Sequence, residues 1–142
     1  MEIIEIKHYS KDVKDALNEL LPQLSSSATA LSDNSVKEIV ESEASHLLMA
    51  KENDIYYGSL TLVIFKIPTG IRAWIEDVVV DKDSRGKGVG KLLTEKAIEL
   101  AEQHGAKTID LTSRPSREAA NALYRKAGFK QRDTNIYRYK SV

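Results

Sequence analysis

The sequence predicts an α/β fold, a sheet of six to seven strands with helices packed against it, on three observations. Seven short segments carry strand-like content, four longer ones carry apolar residues at helical spacing, and turn residues separate nearly all of them. With 142 residues and no cysteine, the chain has the length of one domain, residues 1–142, burying a two-sided core without disulfides or thiolate metal sites.

Taken in order, Ile3 to His8 is the first expected strand. Ser10 follows as N-cap of a helix through Val13, Leu17, Leu20 and Leu21, which Pro22 is expected to end. Beyond the small-residue loop Ser25 to Thr29, Val36, Ile39 and Val40 repeat at helical spacing behind Asp33 or Ser35. His46 to Lys51 and Ile55 to Lys66, joined by Glu52-Asn53-Asp54, read as a hairpin. Pro68-Thr69-Gly70 turns the chain into Arg72 to Asp81, where Ile75, Val78, Val79 and Val80 favour a pleated surface at the centre of the sheet. Val89 to His104 sets Val89, Leu92, Leu93, Ala97, Leu100 and Ala101 on one helical arc that Gly105 stops. Lys107 to Leu111 is another strand, and Ser116 to Ala127 a helix with Ser116 as N-cap and Gly128 as stop. Phe129 to Arg132 and Ile136 to Tyr139 flank Asp133-Thr134-Asn135 as a closing hairpin.

Lys plus Arg number 21 and Asp plus Glu number 21, so no overall positive field exists to hold nucleic acid or an anionic membrane. Any anion site is local. Glu2, Glu5 and Lys7 stand where a secretory signal would place an apolar stretch, and the longest apolar run, Leu60 to Ile67, is far short of the ~20 residues that span a bilayer. A cytoplasmic protein is expected. His8, His46 and His104 lack metal-ligand spacing and read as surface residues, so no metal is expected.

The segment Asp81-Lys82-Asp83-Ser84-Arg85-Gly86-Lys87-Gly88-Val89-Gly90-Lys91, between strand and helix, carries the strongest chemical signal. A helix amino terminus leaves N–H groups unpaired and bears partial positive charge, so it stabilises an anion. Gly86, Gly88 and Gly90 let backbone curl around a pyrophosphate, and Arg85, Lys87 and Lys91 add charge. A glycine-rich turn with solvated basic residues is the alternative. A Walker loop needs Gly where Arg85 stands and Ser or Thr where Leu92 stands; a dinucleotide fingerprint needs Gly at Lys91. Neither pattern fits.

Arg85, two residues, Gly88, one residue, Gly90 resembles the Gcn5-related N-acetyltransferase pattern: Arg or Gln, two residues, Gly, one residue, Gly or Ala. Element order is similar over nearly the whole chain, most sharply from Ile75 to Phe129. The resemblance implies an acyl-CoA N-acyltransferase fold: a mixed, mostly antiparallel central sheet of six to seven strands flanked by helices on both faces. It implies acetyl-CoA as co-substrate, held by Arg85, Gly86, Lys87, Gly88, Val89, Gly90 and Lys91. Ile75 to Val80 resembles the fourth strand of the family, whose backbone pairs with the pantetheine arm. By that likeness Val78, Val79 and Val80 border the cofactor, Val78 and Val80 offer main-chain groups to it, and one N–H polarises the thioester carbonyl.

Acetyl transfer requires a neutral amine, and a lysine-type ammonium with a pKa of ~10.4 is almost wholly protonated at neutral pH. A base is therefore expected, and an acid eases departure of the thiolate. Leu123-Tyr124-Arg125-Lys126-Ala127-Gly128-Phe129 resembles the family segment Leu-Tyr, three residues, Gly-Phe, which implies Tyr124 as the acid. Glu76 matches the acidic residue of similar members and is the implied base, acting directly or through a water. Strand alternation sends Asp77 to the opposite face, and Asp110 is a third candidate. Other members carry glutamate where this chain has Thr112, and many carry Asn where it has Arg117, leaving Asn121 as the candidate replacement at the cofactor.

The resemblance thus implies transfer of acetyl from acetyl-CoA to a primary amine, on a small molecule first, with a protein lysine or amino terminus as the variant. A non-catalytic acetyl-CoA sensor or assembly module of the same fold is the alternative. Trp74, Tyr56 and Tyr57 are candidates either to line an acceptor pocket or to pack the sheet. Dimerisation is common among similar proteins, and a homodimer stays open.

Overall fold

The computed structural model describes residues 1–141, so Val142, the last residue of the expected domain, lies outside the described residues. Strand β1 (Glu2–Ile6) leads into helix α1 (Lys11–Leu24), which Ser10 caps by accepting the Val13 N–H at 3.2 Å. Pro22 does not end this helix. It lies in the last turn, where its missing N–H costs only a bond to the Asn18 carbonyl, and the helix runs on to Leu24. Helix α2 (Asp33–Glu41) is capped by Ser32, which accepts from Ser35 N at 3.1 Å, rather than by Asp33 or Ser35. The Asp33 carboxylate instead accepts from Tyr9 Oη and Lys14 Nζ, each at 2.6 Å, and those two donors hold its pKa below the ordinary carboxylate value.

Strands β2 (Ser45–Glu52), β3 (Ile55–Ile67) and β4 (Gly70–Val80) form an antiparallel meander with β1, and β5 (Thr108–Asp110) joins parallel to β4, giving the order β1-β2-β3-β4-β5. Between β4 and β5 runs helix α3 (Val89–Gln103), and helix α4 (Glu118–Lys126) follows β5. A parallel neighbour requires such a crossover, whereas antiparallel strands need only turns. β4 has a neighbour on each side, yet the middle of the sheet is β3.

The period-two alternation of the strands divides the core. Leu48, Leu60, Leu62, Ala73 and Ile75 meet Val89, Leu93 and Ala97 of α3 on one face. On the other face Leu47, Met49 and Val79 meet Val13, Leu17 and Leu20 of α1 and Val36 and Val40 of α2. The chain therefore has the α/β fold expected, a mixed sheet with helices on both faces. Among the described residues it has five strands rather than six to seven. The expected closing hairpin is absent, since residues 129–141 form no strand. Its apolar side chains Ile136, Tyr137 and Tyr139 are 66%, 88% and 92% exposed, so little burial offsets the entropy of ordering this backbone. Ser116 likewise does not cap α4: Arg117 occupies the N-cap position without a side-chain cap bond, because a turn from Arg114 O to Arg117 N, 3.0 Å, sets the entry.

Candidate acyl-transfer site

The site begins where β4 and β5 part. Their pairing covers only Arg72 to Trp74 against Thr108 to Asp110. Just beyond it, Ser59 pairs with Val79 while Thr61 pairs with Glu76, so Asp77 and Val78 together oppose Leu60. This is a β-bulge, with Asp77 at φ 50°. Asp77 is thus the inserted residue, and the simple alternation expected of this strand fails. Ala73 and Ile75 face α3, and so do Val78 and Val80, shifted by one residue in the alternation, while Val79 turns to the α1/α2 core.

The parted strands border an open groove of about 1310 Å³. Val78, Val79 and Val80 form one wall, and Arg85, Gly86, Gly88, Val89, Gly90 and Lys91 form its end. Gly88 is the N-cap of α3 at φ 82°, and no side chain caps the helix. Leu92, whose N–H bonds to Gly88 O at 3.0 Å, is the first amide of α3 with a main-chain acceptor among the described residues. A Cβ built on Gly86 or Gly88 meets nothing within 4 Å, so these backbones look into open space. Gly90 serves differently: its missing side chain admits α4, whose Leu123 Cδ1 would lie 3.3 Å from a Cβ there. The loop is tethered by Gln23 near the end of α1, which donates to Asp81 Oδ1 at 3.0 Å and accepts from Lys82 N at 2.8 Å.

The first turn of α4 lines the same groove and also has no side-chain cap, so two helix amino termini border one space. Arg85, Lys91, Arg114 and Arg117 line it against one carboxylate among the described residues, that of Glu118. The field is locally positive on a chain of zero net charge. Arg114, Ser113 and Gln23 were not legible as site residues, because only the fold brings the post-β5 loop and the end of α1 to this groove.

Tyr124 also lines the groove and is 7% exposed. The end of α4 explains its placement. Phe129 N donates to Tyr124 O at 3.0 Å and Gly128 N to Arg125 O at 3.1 Å, with Gly128 at φ 105°: a Schellman motif. The motif's apolar contact is the Tyr124–Phe129 pair, edge to face with centroids 5.9 Å apart. The spacing Tyr, three residues, Gly-Phe is thus a device for locking the tyrosine. Burial pushes the phenol's pKa above its ordinary value, against a smaller lowering by the Arg117 guanidinium.

Glu76, Lys87 and Asn121 do not line the groove. Asn121 Nδ2 donates to Arg114 O at 3.0 Å, bracing the loop before α4. Glu76 is exposed on the sheet face opposite α3, where Oε1 accepts the Trp74 indole N–H at 2.7 Å. His46, read as a surface residue, is half-buried with Nδ1 2.9 Å from Glu5 Oε2 and its ring 5.0 Å from that of His104. Among the described residues no group of three or more His, Cys, Asp or Glu side chains could hold a metal, and no helix is long and apolar enough to cross a membrane.

A splayed parallel strand pair ending on an uncapped, glycine-lined helix start offers oriented amide donors to an anionic ligand. Comparison with known proteins makes this specific: the profile of the Acetyltransferase (GNAT) family matches residues 13–129, and the chain belongs to that family. An uncharacterized N-acetyltransferase of Methanocaldococcus jannaschii is 34% identical over 61 residues, which are 43% of this chain and 27% of that protein. N-alpha-acetyltransferase 30 of Schizosaccharomyces pombe is 32% identical over 95 residues, 64% of this chain and 61% of that protein. The chain thus spans less than two thirds of the length of either relative. Among solved structures, a protein of Agrobacterium tumefaciens named as an acetyltransferase superposes with a TM-score of 0.88 at 23% identity, covering 99% of this chain and 100% of that one. At that identity the likeness carries the fold.

Proposed function

We propose that this protein transfers acetyl from acetyl-CoA to a primary amine. The observation that carries the reading is the pair of uncapped helix starts, with Gly86 and Gly88 open to the groove, set beside a buried tyrosine. The residues fit the co-substrate. Amides of residues 86–91, with Arg85 and Lys91, would hold its diphosphate. Val78 to Val80, which have no β5 partner on the side that faces the groove, would hydrogen-bond its pantetheine arm, and one of their N–H groups would stabilise the oxyanion. Acetyl-CoA, when bound, supplies an activated acyl thioester.

The chain's own residues then manage two protons. The Glu76 carboxylate, directly or through a water, takes one from the amine as its nitrogen attacks; one oxygen already holds Trp74, which leaves the other to act. Tyr124 Oη, kept protonated by burial, delivers one to the departing sulfur. Small-molecule amines are the favoured acceptors. A polypeptide amino terminus is the second reading, supported by the likeness to N-alpha-acetyltransferase 30.

The test is calorimetric titration with acetyl-CoA followed by a thiol-release assay across amines, amino sugars, polyamines, amino acids and peptides. Micromolar binding together with thiol release for at least one amine is expected. Binding without release for any acceptor would favour a cofactor-sensing module, and absence of binding would remove the phosphate assignment.

A further inference from the structure

The sheet face opposite α3 is covered by α1 and α2 over Leu47, Met49 and Val79, but β3 and β4 extend past that cover. There, alternation and register fix what the bare face presents. Arg72, Trp74 and Glu76 share it because Ala73 and Ile75 are buried under α3. Across β3 their partners are Phe65, Val63 and Thr61, and Asp110 stands beside Trp74 on β5. The row ends at the bulge, with Glu76 two residues before Val78, the first β4 residue that lines the groove.

Two features set this row apart from an ordinary solvated strand. The Trp74 indole is bound to Glu76, which holds both side chains in one geometry and leaves the aromatic ring half-buried on the face. Arg72 is also held, with Nη2 donating to Thr69 Oγ1 at 3.2 Å, yet its Nη1 is buried and has no partner among the described residues. A buried guanidinium nitrogen left unpaired is costly, and a planar fork of donors matches a carboxylate or phosphate. The acidic side chains nearby are Glu76, whose Oε1 accepts from Trp74, and Asp110, whose Oδ2 is 4.0 Å from Arg132 Nη1. No carboxylate pairs with Arg72 among the described ion pairs.

We infer that the acceptor is an amine that also bears an anionic group, a carboxylate or a phosphate monoester, and that Arg72 is its specificity residue. This rests on the acetyltransferase reading and deepens it. The amine sits at Glu76 beside the bulge, the body of the molecule lies on Trp74, and the anion meets Arg72. Arg72 and Glu76 are four positions apart on an extended strand, about 13 Å between Cα atoms, so the acceptor must be long enough to bridge them.

The experiment compares kcat/KM by thiol release for matched acceptors: L-lysine against cadaverine, and glucosamine 6-phosphate against glucosamine. These pairs distinguish carboxylate from phosphate. At least one anion-bearing member should exceed its twin without the anion by roughly 10- to 100-fold, expressed in KM. In Arg72→Met that ratio should fall toward one, and Arg72→Lys, retaining charge without the fork, should restore part of it. Thermal melts establish that both variants are folded; should the methionine variant not fold, the lysine variant carries the comparison alone. Ratios near one for both pairs in the wild type, or an unchanged ratio in the variants, overturn the inference while leaving acetyl transfer intact. A short peptide with a free amino terminus serving better than either anion-bearing acceptor also overturns it. Acetyl-CoA binding with no thiol release from any amine fails the underlying reading instead.

Discussion

Replacing Gly88 with alanine isolates the phosphate-binding role of the loop from its structural role, provided a matched control is made. Gly88 has φ 82° at the start of α3 and Gly105 has φ 78° just past its end. Forcing an L-residue into either conformation costs about 1–2 kcal/mol. For a chain of this size each variant should therefore melt about 3–6 °C lower than the wild type. The surroundings then separate them. A Cβ at Gly105 lies 3.7 Å from Ile71 Cδ1, ordinary contact far from the groove, whereas a Cβ at Gly88 stands in the open space where the diphosphate is proposed to lie. There it obstructs one or two charge-assisted amide bonds, each worth about 1.5–3 kcal/mol, or roughly 10- to 100-fold in Kd. Scanning fluorimetry and calorimetric titration with acetyl-CoA read the two quantities independently. If both variants lose the same stability and bind acetyl-CoA equally, the loop is only a turn and the phosphate assignment fails.

Tyr124→Phe keeps the edge-to-face packing on Phe129 and removes only the hydroxyl, so acetyl-CoA should bind as before while kcat falls by about 10²- to 10⁴-fold; unchanged turnover would exclude this phenol from the chemistry. Its raised pKa has a sign for stability. The folded state holds the proton more tightly, so the contribution is complete below the unfolded value of about 10 and is lost as pH rises through the folded value. Denaturant melts from pH 9 to 11 should show a steeper alkaline loss in the wild type than in Tyr124→Phe, and parallel curves would refute the shift. Glu76→Gln keeps an acceptor for the Trp74 indole but cannot take a proton, so kcat at neutral pH should drop about 10²-fold and recover at higher pH as the amine deprotonates; a uniform loss at every pH would point to structural damage. Gln23→Ala removes both bonds that tether the phosphate loop, so acetyl-CoA affinity should weaken about 3- to 10-fold with kcat nearly unaltered, and an unchanged Kd would show that the loop holds its shape without α1.

Local interactions explain which parts of the molecule were legible. The αL residues, the i,i+4 apolar arcs of α1 and α3, and the β-branched run of β4 act through neighbours in sequence, so the element order to Lys126 and the glycine loop could be read directly. Tyr124 belongs to the same class. The six-residue hydrogen bond from Phe129 to Tyr124 and the Gly128 turn lie within one short stretch, and the motif can be recognised without the rest of the chain. Caps were less legible because Ser32 and Asp33 are both chemically competent, and the choice depended on Tyr9 and Lys14, which arrive from α1 and its entry.

What tertiary structure alone decided is tied to pairing between distant segments. The bulge at Asp77 exists only in the register of β4 against β3, and it reverses the facing of every later residue of the strand, so alternation counted from Glu76 misassigns Val78 and Val79. Residues 129–139 carry strand-like side chains, yet whether such a segment becomes a strand depends on finding a ladder and an apolar surface, and here it finds neither among the described residues. The grouping of Arg85, Lys91, Arg114 and Arg117 into one positive groove likewise follows from where two helices begin, which electrostatics in three dimensions sets and composition, averaging to zero, conceals.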